Sequence, residues 1–173
     1  ILAGGVVSAA SAGAGNGTVS SERISMAIAW TSDLDTGIEP IDQQHRKLVD
    51  YINELEIAVQ QQDSAAVGRV LDEVADYCIS HFAFEEDLQK KVGYMHAKSH
   101  KMVHDVFTRR MAKYRERYKA GEDVASQLHE ALSTWLLLHI KREDKNFVPD
   151  VMRGIGGMVK DDSGEDWLSR SVA

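Results

Sequence analysis

The chain has 173 residues, 43% hydrophobic and 27% charged, with a formal net charge of −7. That is enough for one soluble domain with a sizeable core, and the negative balance argues against non-specific nucleic-acid binding. No stretch approaches the ~18–20 apolar residues of a membrane span, and the one cysteine, Cys78, excludes an intrachain disulfide and fits a reducing, cytoplasmic setting.

Residues 1–26 are rich in Ala, Gly and Ser, and the chain begins with Ile rather than Met. They read as a flexible linker from an upstream domain, or as a processed segment. The domain proper is expected over 27–153, opening on an N-terminal loop. A first helix is predicted from about Pro40 to Gln61, with Ile41, His45, Leu48, Ile52, Leu55 and Val59 on one face. Asp63-Ser64 is a helix N-cap signal, and the second helix carries Val67, Leu71, Val74, Cys78, His81, Glu85 and Leu88 inward before ending near Gly93. The third covers about 95–120, with His100, His104, Phe107, Met111, Tyr114 and Tyr118, and Gly121 stops it. The fourth runs from Asp123 to about Asn146, with Val124, Leu128, Leu132, Trp135 and His139. Residues 154–173 read as a flexible tail in which Trp167-Leu168 docks somewhere. No run alternates with period two, so no sheet is expected. Short loops between four helices predict an all-α, up-down-up-down antiparallel four-helix bundle.

Seven residues carry the chemistry: His45, His81, Glu85, His100, His104, His139 and Asp144. His81 and Glu85 are four apart, as are His100 and His104. That spacing puts two side chains on one helical face, one turn apart. Five imidazoles and two carboxylates from four helices point to a metal site, and their number points to two irons. If Glu85 and Asp144 each bridge both ions and one solvent-derived oxo or hydroxo group is shared, one ion is six-coordinate and the other five-coordinate. An open position on a redox metal is where a small ligand binds. The His-rich shell differs from the carboxylate-rich sites of O2-activating di-iron bundles, and argues for reversible binding. One spacing is awkward. His139 and Asp144 are five apart, about 140° around an ideal helix, so either the carboxylate reaches in from the flank or the helix is distorted there.

The neighbouring residues have plainer readings. His96 extends the His100/His104 stripe but reads as a helix-end residue, and His129 as solvent-facing. Cys78 reads as a small buried hydrophobe, and Glu86 as a solvated charge. Leu48, Phe82, Leu136 and Ile140 adjoin the seven and are candidates for the wall of an O2 pocket, or for ordinary core.

The chain resembles the bacterial branch of the hemerythrin family. The resemblance rests on Trp30 with the run from Thr36 to His45, on His81-Phe82-Ala83-Phe84-Glu85-Glu86, on Gly93-Tyr94 followed by His100, His104 and Phe107, and on Trp135 to Ile140 through Asp144. It spans roughly residues 27–152 and includes all seven of the family's ligands. It implies two non-haem irons with an oxo or hydroxo bridge. His100, His104 and His139 would bind one; His45 and His81 would bind the other, which holds the open O2 position; Glu85 and Asp144 would bridge. The chain departs from the family's pattern at Gln89, where Met is frequent, at Met95, where Pro is, and at Phe147, where bacterial members often carry Tyr. The implied function is reversible O2 binding, open to competition by anions such as azide, with no catalytic residue and no membrane contact. An oxygen- or redox-sensing domain of a larger signalling protein, such as a chemoreceptor in chemotaxis, is the leading expectation. A free-standing O2 carrier is the second, and a di-iron peroxidase, NO-handling protein or ferroxidase is the enzymatic alternative.

Overall fold

The computed structural model describes residues 27–158, with side chains through Gly154. The expected linker, most of the expected tail and Trp167-Leu168 lie outside the described residues. Helix α1 spans Glu39–Gln61, α2 Ser64–Lys91, α3 Ala97–Lys119 and α4 Ala125–His139. A π-helical turn, Ile140–Asp144, joins α4 to α5, Lys145–Met158. No strand occurs among the described residues.

Local chemistry sets these boundaries. Pro40 sits in the first turn of α1, where its missing N–H is one of the unpaired donors anyway. The Asp63 carboxylate caps α2 by accepting from the Ala66 N–H at 2.9 Å. Gly93, at φ +69°, turns the chain out of α2. The fourth helical stretch runs well past its expected end near Asn146, through the π turn and Pro149 to Met158. Pro149 offers no amide to the Lys145 carbonyl four residues back, but Lys145 lies where the ladder is already rearranged by the π turn.

Helix α1 packs on α2 and on α4, and α2 on α3, through connections of two to five residues. Connections this short are those an up-down-up-down order uses. The key residues fall into step with it: His45 early in α1, His81 and Glu85 late in α2, His100 and His104 early in α3, His139 and Asp144 late in the fourth stretch.

The core is divided. A large apolar cluster includes Leu48, Phe82, Leu128, Leu136 and Ile140. A smaller one holds Ile38, Ile41, Leu88, Phe147 and Val151. On three helical stretches one of the seven lies between a member of each: Ile41–His45–Leu48, Phe82–Glu85–Leu88 and Ile140–Asp144–Phe147. A layer of polar side chains thus crosses the bundle between two apolar cores.

Candidate metal centre

The entry loop is tied to α1. The Thr36 N–H and hydroxyl each donate to Asp42 Oδ1 at 2.8 Å, and the Gly37 N–H donates to Oδ2 at 3.1 Å. Gly37 is at φ +80°, a conformation that favours glycine. The loop thereby lays Trp30 against His45, with ring centroids 6.4 Å apart. Arg46 covers Trp30 at 4.9 Å, and Trp30 Nε1 donates to Asp35 at 2.7 Å.

The wide turn after α4 resolves the awkward spacing. The Lys145 N–H reaches the Ile140 carbonyl, five residues back. With i→i+5 geometry a residue five positions on returns to the same side of the helix, and Asp144 Oδ1 lies 3.0 Å from His139 Nε2.

All seven residues come together, and each is at most 2% exposed. Every imidazole points its Nε2 inward. The carboxylates divide their oxygens between two groups of rings. Glu85 Oε1 is 3.7 Å from His45 and 3.6 Å from His81, while Oε2 is 3.4 Å from His100, 3.2 Å from His104 and 3.8 Å from His139. Asp144 repeats the division: Oδ2 is 3.3 Å from His45, and Oδ1 is 3.5 Å from His100 and 3.0 Å from His139.

The donor set fits cations better than it fits itself. His45 Nε2, His81 Nε2, Glu85 Oε1 and both Asp144 oxygens are buried without a hydrogen-bond partner. His104 Nε2 and His139 Nε2 are 3.1 Å apart, and two imidazole lone pairs that face each other need a proton or a metal between them. Glu85, His100, His104 and His139 form one set of atoms compact enough to hold an ion; His45, His81 and Glu85 form another.

Burial and the buried charges pull the groups apart. Burial works against charge on His45 and His139, but Asp144 and Glu85 outweigh it and raise them to about 9 and about 10. At His81 burial wins and lowers it to about 4. Burial opposes charge on Glu85 too, yet the imidazoles around it, His81 first, hold its carboxyl well below the usual range. Asp144 is lowered as well: burial and the Glu85 charge resist, and His139 and His45 prevail.

Two partners on the outer side of the rings escape a reading of the sequence. Gln44 Oε1 lies 2.8 Å from His81 Nδ1, and Glu86 Oε1 lies 3.1 Å from His104 Nδ1. Each can accept the Nδ1 proton and leave Nε2 free as a donor to a metal. Glu86 is therefore not a purely solvated charge, although Lys101 also approaches it at 3.5 Å. Their partners are 37 and 18 residues away in sequence, and only the next turn of a neighbouring helix reveals them. Aromatic rings hold the imidazoles from the side: Phe82 lies flat on His104 at 3.9 Å, Trp135 on His139 at 4.3 Å and Phe107 on Trp135 at 3.9 Å. Phe147 meets His100 edge-on at 5.4 Å.

Of the four candidate pocket residues, Leu48 and Leu136 line a small void of about 10 Å3 with Ile52, Val74, Cys78, Phe107, Leu132 and Trp135. All of its walls are apolar. Phe82 and Ile140 are buried in the same cluster but do not line it. Burial pushes the Cys78 thiol up, as expected of a small core residue. His96 stands exposed at the start of α3, outside the cluster. His129 departs from expectation. It is 5% exposed, because α4 turns it toward Glu56 of α1, and burial lowers its pKa.

A helical bundle with two adjoining sets of buried imidazole and carboxylate donors is a cation-binding domain. The Hemerythrin HHE cation binding domain matches residues 36–151. A bacteriohemerythrin of Pseudomonas aeruginosa is 45% identical over 145 residues, 84% of this chain and 95% of that one. A bacteriohemerythrin of Methylococcus capsulatus is 30% identical over 70% of this chain and 95% of its own. The crystal structure of a wild-type hemerythrin superposes with a TM-score of 0.68 at 28% identity, over 72% of this chain and 97% of that one. The chain belongs to the hemerythrin family.

Proposed function

We propose that the protein binds O2 reversibly at two non-haem irons. His100, His104 and His139 would hold one iron, His45 and His81 the other, and Glu85 and Asp144 would bridge them. The observation that carries this reading is the division of both carboxylates between the same two groups of imidazoles. Such irons would supply a redox-active pair with one open position, on the ion that has two imidazoles.

The chain's own side chains supply the rest. Gln44 and Glu86 orient His81 and His104. Leu136, Leu48 and the apolar cavity beside them keep water and protons from the bound ligand. That void is lined by apolar groups and the Cys78 thiol, which burial keeps protonated, and it offers no acid–base pair, which supports binding over turnover. The bacteriohemerythrin of Pseudomonas aeruginosa is matched over 95% of its length, and the same bundle could serve as a free-standing O2 carrier or store. A sensory domain of a longer signalling protein differs from it in what is attached to the bundle, and the length of the native gene product discriminates between the two.

The test is metal content and a reversible spectrum. Purified protein should carry two irons per chain. The reduced form should gain near-ultraviolet and visible bands in air and lose them under argon over repeated cycles. Zinc alone, or bands that never reverse, would refute the reading.

A further inference from the structure

Gln89 has no place in the site as described. It is fully buried, yet neither its amide nitrogen nor its amide oxygen has a hydrogen-bond partner. A carboxamide brings two N–H donors and one acceptor, and burying it without partners is unfavourable. The carboxylates one turn away can take a further donor: Glu85 Oε1 and both Asp144 oxygens are buried without a hydrogen-bond partner, and an oxygen that faces a metal keeps a second lone pair.

Helix geometry puts the two needs side by side. His81, Glu85 and Gln89 follow one another at four-residue steps on α2, so each side chain neighbours the next one turn along. Beyond Gln89 along α2 lies the smaller apolar cluster of Ile38, Ile41, Leu88, Phe147 and Val151, whose own side chains offer no hydrogen-bonding group, with half-buried Tyr94 packed at its edge. The Gln89 backbone carbonyl is already engaged by the Tyr94 N–H at 2.9 Å. The polar layer is where the carboxamide can be satisfied.

We propose that Gln89 is a positioning residue of the metal centre, whose carboxamide donates a hydrogen bond toward the Glu85 and Asp144 carboxylates and so sets how strongly they hold the oxidised metals. The inference rests on the di-iron reading. A donor to a bridging carboxylate withdraws electron density from it, which favours the ferrous over the ferric pair. An apolar side chain of similar length gives up that control.

The experiment uses the full chain with iron bound. Gln89→Met preserves length and removes both donors. Its midpoint potential should shift negative relative to wild type, and a chelator should extract its ferric iron more slowly, because the carboxylates regain the electron density that the donor withdrew. Should Gln89→Met fail to fold, Gln89→Leu is measured in the same way. A potential and an iron-extraction rate equal to those of wild type in the folded variant would overturn the proposal and make Gln89 ordinary core. Wild-type protein that takes up no iron would overturn both this proposal and the di-iron reading, whereas wild type with two irons and an indistinguishable variant overturns this one alone.

Discussion

The two halves of the polar layer are built differently. The His45/His81 half has two imidazoles, one amide partner in Gln44 and a lid, Trp30, delivered by the loop before α1. The His100/His104/His139 half has three imidazoles, a carboxylate partner in Glu86 and a stack of Phe82, Trp135 and Phe107 around it. The first is lightly held and set against a loop; the second is clamped between helices. The difference teaches how one bundle can give two adjoining donor sets unequal support, with the carboxylates common to both.

The largest effect should come from removing what the halves share. Glu85→Ala is expected to reduce iron from two per chain to nearly none, because each half loses a donor and the remaining imidazoles are left buried without partners. Retention of one full iron, measured by metal analysis, would mean that the carboxylate serves only one half.

Removing one imidazole should then separate the halves. His45→Ala or His81→Ala is expected to leave about one iron per chain, held by the three-imidazole half. His104→Ala should weaken that half and make the remaining metal more extractable. Equal loss from all three variants would break the comparison.

Leu136→Ala tests the wall of the cavity rather than the metals. Truncating this buried leucine should destabilise the protein by about 2–5 kcal/mol. It should also speed decay of the air-exposed spectrum and the binding of azide, both read by stopped flow. Destabilisation with unchanged decay would make Leu136 ordinary core and move the wall to Leu48, Phe82 or Ile140.

The outer partners should give a smaller, split response. Gln44→Ala should loosen iron on the His81 side and Glu86→Ala on the His104 side, each by roughly 10- to 100-fold in affinity. Competition with a chelator followed over time resolves the two. Biphasic release that changes in the same phase for both variants would contradict the pairing.

Protonation sharpens the contrast most gently. In the metal-free protein His45 and His139 are raised to about 9 and about 10. Their stabilising contribution is full below their ordinary value near 6.5 and is lost as pH rises through 9 to 10. Metal-free protein should therefore lose thermal stability over that range. Iron uptake at neutral pH should release protons from both halves, since His45 lies in one and His139 in the other. Melting curves and proton release in weak buffer check both, and a metal-free Tm flat between pH 8 and 10 would reject the charged state of these rings.

The four helices, Cys78 as core and the pairing of His81 with Glu85 and of His100 with His104 on shared faces were legible because each rests on short-range periodicity, whereas His45 stands alone on its helix and Asp144 lies five past His139. Gln44 and Glu86 were not, since their value depends on rings 37 and 18 residues away. His129 read as surface because its own helix says nothing about Glu56 on α1. The run of α5 through Pro149 was hidden because proline normally ends a helix, and the wide turn that accommodates it was signalled only by an awkward five-residue gap.

That turn works as a gear between two registers of one helical rod. Each residue in an α-helix advances by about 100°, so closing Ile140–Asp144 to ordinary α geometry with every residue kept would rotate all of α5 by about that much relative to α4. Asp144 would swing off the face it shares with His139. Phe147 and Val151, now closing the smaller core, would swing out of it together, and the bond between Lys145 and Asp33 across the entry loop would lose its alignment. The position of one carboxylate and the seating of the last fourteen described residues are therefore not separate choices. A chain that straightened this helix without dropping a residue would lose its carboxylate and open the end of its own bundle.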